Sequence, residues 1–255
     1  NFKVKEFLKK VKERIKKEKI DAEIFVGGSF AKKTVIKKGK YDVDIFIRYG
    51  KKHIYEDFSI LTSRLLKDFK DVSRVHGSRD YFVIEQTPRF FLEIIPVKKI
   101  KKASEAENVT DLSYSHVNYI NRKIKSEKTL DEIRIAKAFC YATKCYGAES
   151  YVQGFSGYGL ELLIYYYKNF FNFAKAMANA KEKIIIDIEN QYKNKKQILM
   201  DLNSSKLSSP IIFIDPTYRQ RNVLAALSQE TFEKFKKECK SFIEKPSLAL
   251  FEEKK

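Results

Sequence analysis

Cysteine is scarce in this 255-residue chain. Cys140, Cys145 and Cys239 make an odd count without the close spacing of metal ligands. This excludes a disulfide framework and a zinc module, and it fits a reducing, cytoplasmic setting. Histidine is equally rare: His53, His76 and His116 lie far apart in sequence. No apolar run reaches the roughly 20 residues that a membrane helix needs. The most apolar stretch, residues 160–173, is shorter and holds Glu161 and Lys168, so it reads as a core helix. Nothing reads as a signal peptide, because the N-terminal segment is lysine-laced and amphipathic.

Positive charge is abundant. There are 51 Lys and Arg against 33 Asp and Glu, a formal net charge of +18. Such an excess points to a polyanionic partner or to a solvated lysine surface, and composition alone leaves both readings open. A hydrophobic content of 44% belongs to a globular chain. Its length suits one large domain or two to three small ones.

Apolar residues at Val4, Phe7, Leu8, Val11 and Ile15 predict an amphipathic helix over residues 2–19. A strand follows over 21–26, ending in Gly27-Gly28. Residues 29–40 read as a helical turn and loop. Residues 43–49 are apolar on both faces and predict a central strand. A helix is expected over 54–69, then strands over 72–75, 81–85 and 90–97. Residues 98–108 are charged and form a linker. Helices are expected over 131–146, 157–181, 183–200 and 229–244, with a polar loop over 203–210 and a strand over 211–214.

Chemistry concentrates in Gly27-Gly28-Ser29-Phe30-Ala31-Lys32 and Asp42-Val43-Asp44. Residues two apart on a strand share a face, about 6.5–7 Å apart along the chain. Asp42 and Asp44 therefore repel each other beside an apolar core, and hard cations relieve that repulsion. Glu93 is the lone acid in the apolar run 90–96, where an unpaired carboxylate is costly. A Gly-Gly turn lets the backbone approach phosphate, Ser29 adds a hydroxyl, and Lys32 adds charge. Singly, each has a structural reading: strand-edge acids, an ordinary turn, a Glu93 ion pair with Arg89. Only the conjunction carries weight.

That conjunction resembles the nucleotidyltransferase superfamily: a Gly-Ser turn, Asp-x-Asp, then a further acid. Two later segments narrow the resemblance to archaeal-type, class I CCA-adding enzymes. They are Tyr146-Gly147-Ala148-Glu149 with Gly154-Phe155-Ser156-Gly157-Tyr158, and Ile214-Asp215-Pro216 with Arg221-Asn222-Val223. The resemblance implies an α+β fold: a polymerase beta-like head with a mixed sheet and helices on one side (1–108), a helical neck (109–182) and a small α/β body (183–255). It implies two Mg²⁺ on Asp42, Asp44 and Glu93, with CTP and ATP as substrates and the 3′ end of tRNA as acceptor. It assigns nucleotide contacts to Gly28, Ser29, Lys32, His116, Lys137, Tyr146 and Arg221. No membrane is implied. Three positions depart from the pattern: Glu93 replaces a usual Asp, Lys32 a usual Arg, and Gln153 a usual Arg. Family members also continue well beyond residue 255, which leaves open a shortened enzyme, a truncated sequence, or a split gene in which a homodimer or partner chain supplies a tail. The same head resembles oligoadenylate synthetases and other terminal transferases. A non-catalytic RNA-binding subunit is the third reading.

Overall fold

The computed structural model describes residues 2–37 and 39–252. The chain divides into two compact units, Asn1–Asn118 and Tyr119–Lys255.

The first unit runs α1 (Phe2–Lys17), β1 (Ala22–Val26), α2 (Gly28–Ala31), β2 (Tyr41–Tyr49), α3 (Phe58–Leu66), β3 (Val72–Val75), β4 (Tyr81–Thr87) and β5 (Phe90–Lys98). Its five strands form one mixed sheet in the order β1-β2-β5-β4-β3. The β2–β5 pair is parallel and the others are antiparallel. Alternation along β2 sends Val43, Ile45, Ile47 and Tyr49 to one face. There they join Leu92 and Ile94 of β5, with Val4, Phe7 and Val11 of α1 and Leu61 and Leu65 of α3. This apolar face holds the helices, as the resemblance implied. Phe46, Ile95 and Val97 form a smaller cluster with Phe25 and Tyr81. They share the parity of Asp44 and Glu93, so the acidic side chains belong to the opposite face.

The unit boundary falls inside α4 (Ser113–Lys123). The second unit continues with α5 (Glu127–Ala142), α6 (Gly157–Tyr167), α7 (Phe170–Ala178), β6 (Ile184–Ile186), α8 (Lys195–Asp201), α9 (Ser204–Leu207), β7 (Ile211–Asp215), β8 (Tyr218–Asn222) and α10 (Gln229–Glu244). Its core is aromatic. The Phe139 ring on α5 meets those of Phe170, Phe235, Phe242 and Phe251 at centroid distances of 5.1, 5.8, 5.7 and 5.4 Å. Among the described residues, no helix is long and apolar enough to cross a membrane.

Three expected elements differ. The helix expected over 157–181 is broken between α6 and α7, where Lys168 takes φ 76° and the Asn169 side chain accepts the Asn172 N–H as a new N-cap. The helix expected over 183–200 is instead β6 followed by a loop and α8. Three consecutive isoleucines pair in parallel with β7, and β-branched side chains favour that pleated setting. The loop expected over 203–210 contains α9, capped by the Asn203 side chain.

Candidate active site

The Gly-Gly turn is built onto β2. The Gly27 N–H donates to the Asp44 carbonyl at 2.8 Å, and the Thr34 N–H to the Ser29 carbonyl at 2.9 Å. Gly28 has φ +56°, and a Cβ there would fall within the Asp44 carboxylate. Only glycine satisfies both the left-handed backbone and the close approach. Ser29 sits half-buried in α2, and Lys32 follows it with 8% exposure.

Asp44 and Glu93 are register partners in the parallel β2–β5 ladder, and Asp42 lies opposite Phe91. Neighbouring strands are about 4.8 Å apart, so Asp44 and Glu93 bring two like charges to adjacent sites on one face. All three acids are partly solvent-accessible. The negative charge is felt nearby: burial raises the Tyr81 hydroxyl pKa above its ordinary value, and the Glu93 charge adds to the effect. Arg89 makes no ion pair among the described residues, which removes that reading of Glu93.

Among the described residues, no three Asp, Glu, His or Cys groups are gathered closely enough to ligate one ion. The donor set nonetheless fits magnesium. That ion takes oxygen ligands and is held by one or two carboxylates plus substrate phosphates, not by an all-protein cage. Adjacent Asp44 and Glu93, with Asp42 two residues along the same face, would supply that partial shell.

His116 lies on α4 with 8% exposure. Lys137, on α5, is 1% exposed and pairs with fully buried Glu161 of α6, Nζ to Oε1 at 2.7 Å. Tyr146 follows α5 and bridges to Phe155. A Cβ at Gly157 would stand 2.8 Å from the Tyr146 hydroxyl and 3.7 Å from Lys137 Nζ, so these two polar groups meet over a residue without a side chain. Arg221, on β8, donates through Nη1 to Asp215 Oδ2 at 2.7 Å.

Glu161 and Asp215 are the residues to which sequence reasoning gave no role. Each is fully buried in an apolar segment and holds a basic residue of the expected site. The signal that singled out Glu93, a lone acid within an apolar run, is present at both.

Comparison with known proteins shows the family. The family model of the nucleotidyltransferase domain matches residues 4–140, and that of the tRNA nucleotidyltransferase second domain matches residues 131–252. The CCA-adding enzyme of Nanoarchaeum equitans is 40% identical over 82% of this chain and 52% of its own length. That of Methanosarcina mazei is 30% identical over 90% and 49%. The chain thus spans about half the length of the curated relatives it matches. Among solved structures, the Cid1 poly(U) polymerase with Mg and 3′-dATP bound superposes with a TM-score of 0.72 at 14% identity, covering 98% of this chain and 94% of that one. At that identity the likeness speaks for the fold alone. With its first half matching the nucleotidyltransferase-domain model and its second half the tRNA nucleotidyltransferase second domain, the chain belongs to the nucleotidyltransferase family, on the tRNA nucleotidyltransferase branch.

Proposed function

We propose that the chain adds C and A nucleotides, without a template, from CTP and ATP to the 3′ end of tRNA. The observation that carries this reading is the Asp44–Glu93 register pair lying against the Gly28 turn. The naming of the relatives as CCA-adding enzymes supports the choice of acceptor.

Asp42, Asp44 and Glu93 would hold two Mg²⁺. When bound, these ions supply Lewis-acid stabilisation of charge on the phosphates and on the attacking oxygen. The residues themselves do positioning work. Gly28 lets the turn lie flat against Asp44, so that the Ser29 hydroxyl and the Lys32 ammonium bind the triphosphate beside the acids. His116 holds a phosphate oxygen from a buried, fixed position. In the second unit, Glu161 fixes the Lys137 ammonium, and the Tyr146 hydroxyl beside it binds the nucleotide sugar or phosphate. The 3′ hydroxyl of the acceptor then gives its proton to solvent as its oxygen bonds to the α-phosphorus, and the bond between the α-phosphorus and the bridging oxygen breaks, releasing pyrophosphate.

Arg221 selects the base. A guanidinium has donors and no acceptor. N3 of cytosine and N1 of adenine are acceptors, whereas the corresponding positions of uracil and guanine carry N–H. An Arg221 donor aimed at that ring nitrogen therefore complements C and A and meets an N–H in U and G.

The test is incubation with tRNA ending at the discriminator base, Mg²⁺ and each nucleotide separately. C and A incorporation that Asp42→Ala abolishes supports the reading. Incorporation undiminished in Asp42→Ala refutes it.

A further inference from the structure

We propose that Asp215 is a positioning residue that sets the Arg221 guanidinium for nucleotide choice. This rests on the role given to Arg221 above.

Asp215 ends β7 at an irregularity in the β7–β8 register and is fully buried. Each of its carboxylate oxygens has its own task. Oδ1 accepts the Thr217 N–H and the Thr217 hydroxyl, both at 2.8 Å, and the Tyr158 hydroxyl at 3.4 Å. Oδ2 accepts Nη1 of Arg221 at 2.7 Å. The Asp215 main-chain carbonyl is held as well, by Gln191 Nε2 at 2.8 Å. The Oδ1 contacts close a local turn and come in part from α6. They prevent the carboxylate from rotating, so Oδ2 presents one fixed acceptor to Arg221.

The Arg221 side chain is 24% exposed and the Asp215 side chain 0%. The ion pair therefore has a buried end and an accessible end. Anchoring one nitrogen of a planar guanidinium restricts the orientations open to its other donors. A freely rotating arginine would meet any base edge with some of its donors. A clamped one offers a narrower range of geometries, and discrimination among four bases needs that. The Tyr158 hydroxyl is buried beside this carboxylate, and burial first, then the Asp215 charge, keeps it protonated and available as a donor.

The two carboxylate oxygens can be perturbed to different degrees. Asp215→Asn keeps an oxygen for Thr217 but places an amide nitrogen, a donor, against Arg221. Thr217→Val weakens the turn and leaves Oδ2 alone. The measurement is kcat/KM for CTP, ATP, UTP and GTP on tRNA lacking its terminal nucleotides, with a thermal melt of each variant. Asp215→Asn is expected to lower the preference for C and A over U and G by roughly tenfold to a hundredfold. Thr217→Val keeps the Thr217 N–H on Oδ1, so it is expected to lower the melting temperature and to lower the preference less than Asp215→Asn does. If Asp215→Asn does not fold, Tyr158→Phe tests the same clamp and is expected to lower the preference roughly twofold to tenfold. An unchanged preference in Asp215→Asn, or in Tyr158→Phe where that variant stands in, overturns the proposal while the base-reading role of Arg221 stands. So does an equal loss in Thr217→Val. An unchanged preference in Arg221→Ala overturns the reading on which the proposal rests, and the proposal with it.

Discussion

Asp44 and Glu93 stand side by side across the parallel β2–β5 ladder, and theirs is the one register pair in that ladder with an acid on both strands. Their neighbours in the ladder, Val43 with Leu92 and Ile45 with Ile94, are apolar. Glu93→Gln keeps the size of the side chain and removes one charge. Nucleotide incorporation is expected to fall by about 10²–10³-fold, the scale of one lost electrostatic contribution to a transition state. Single-turnover incorporation of labelled CTP measures this, with circular dichroism to show that the fold is kept.

Gly28→Ala places a methyl group in the space of the Asp44 carboxylate and does so at φ +56°. The left-handed backbone alone costs about 1–2 kcal/mol for a residue with a Cβ. Asp44 must also move. Both the unfolding midpoint and kcat are expected to drop, and denaturant titration and steady-state rates read the two effects separately.

Lys137 and Glu161 form an ion pair with both side chains buried. Lys137→Met removes the charge opposite Glu161 and is expected to destabilise the protein by about 3–5 kcal/mol. The double variant Lys137→Met with Glu161→Leu is expected to regain most of that loss, because an apolar pair in a buried site is near neutral. Urea unfolding of the two single variants and the double variant closes the cycle.

The three free cysteines are buried, and burial is the first cause that raises each thiol above its ordinary pKa. The reactive thiolate is therefore disfavoured. Ellman's reagent is expected to label the native protein far more slowly than the unfolded one, in which all three react. Rapid native labelling would show that unit two opens locally.

Alkaline stability follows from the tyrosines. Burial raises Tyr167 and Tyr192 from an ordinary 10.0 to about 12. The folded state therefore holds a proton that the unfolded state has lost between these values. Their contribution to stability is full below about pH 10 and is lost as the pH climbs towards 12. Thermal melts are expected to decline across that interval, and Tyr167→Phe is expected to flatten part of the decline.

Much of the first unit was legible because local pattern and final environment agree. The β2 and β5 runs are apolar on alternating faces, and α1 has a clean helical stripe over Val4, Phe7 and Val11. The acids were legible for the converse reason: they interrupt those runs. What was missed depends on distant partners. The isoleucines of β6 become a strand because β7 lies beside them. Lys168 breaks a helix whose composition favours continuing it, and Asn169 restarts it. Lys137 and Arg221 were named without their carboxylates, because Glu161 and Asp215 join them only through tertiary packing.

The ring cluster around Phe139 also bears on how the second unit is made. Phe170 lies nearby in the chain, but Phe235, Phe242 and Phe251 arrive much later in synthesis. Contacts so widely separated in sequence close slowly, since the intervening chain must be confined first. Until position 251 leaves the ribosome, Phe139 lacks one of its four ring partners, and the nascent chain exposes an aromatic surface that chaperones are suited to hold.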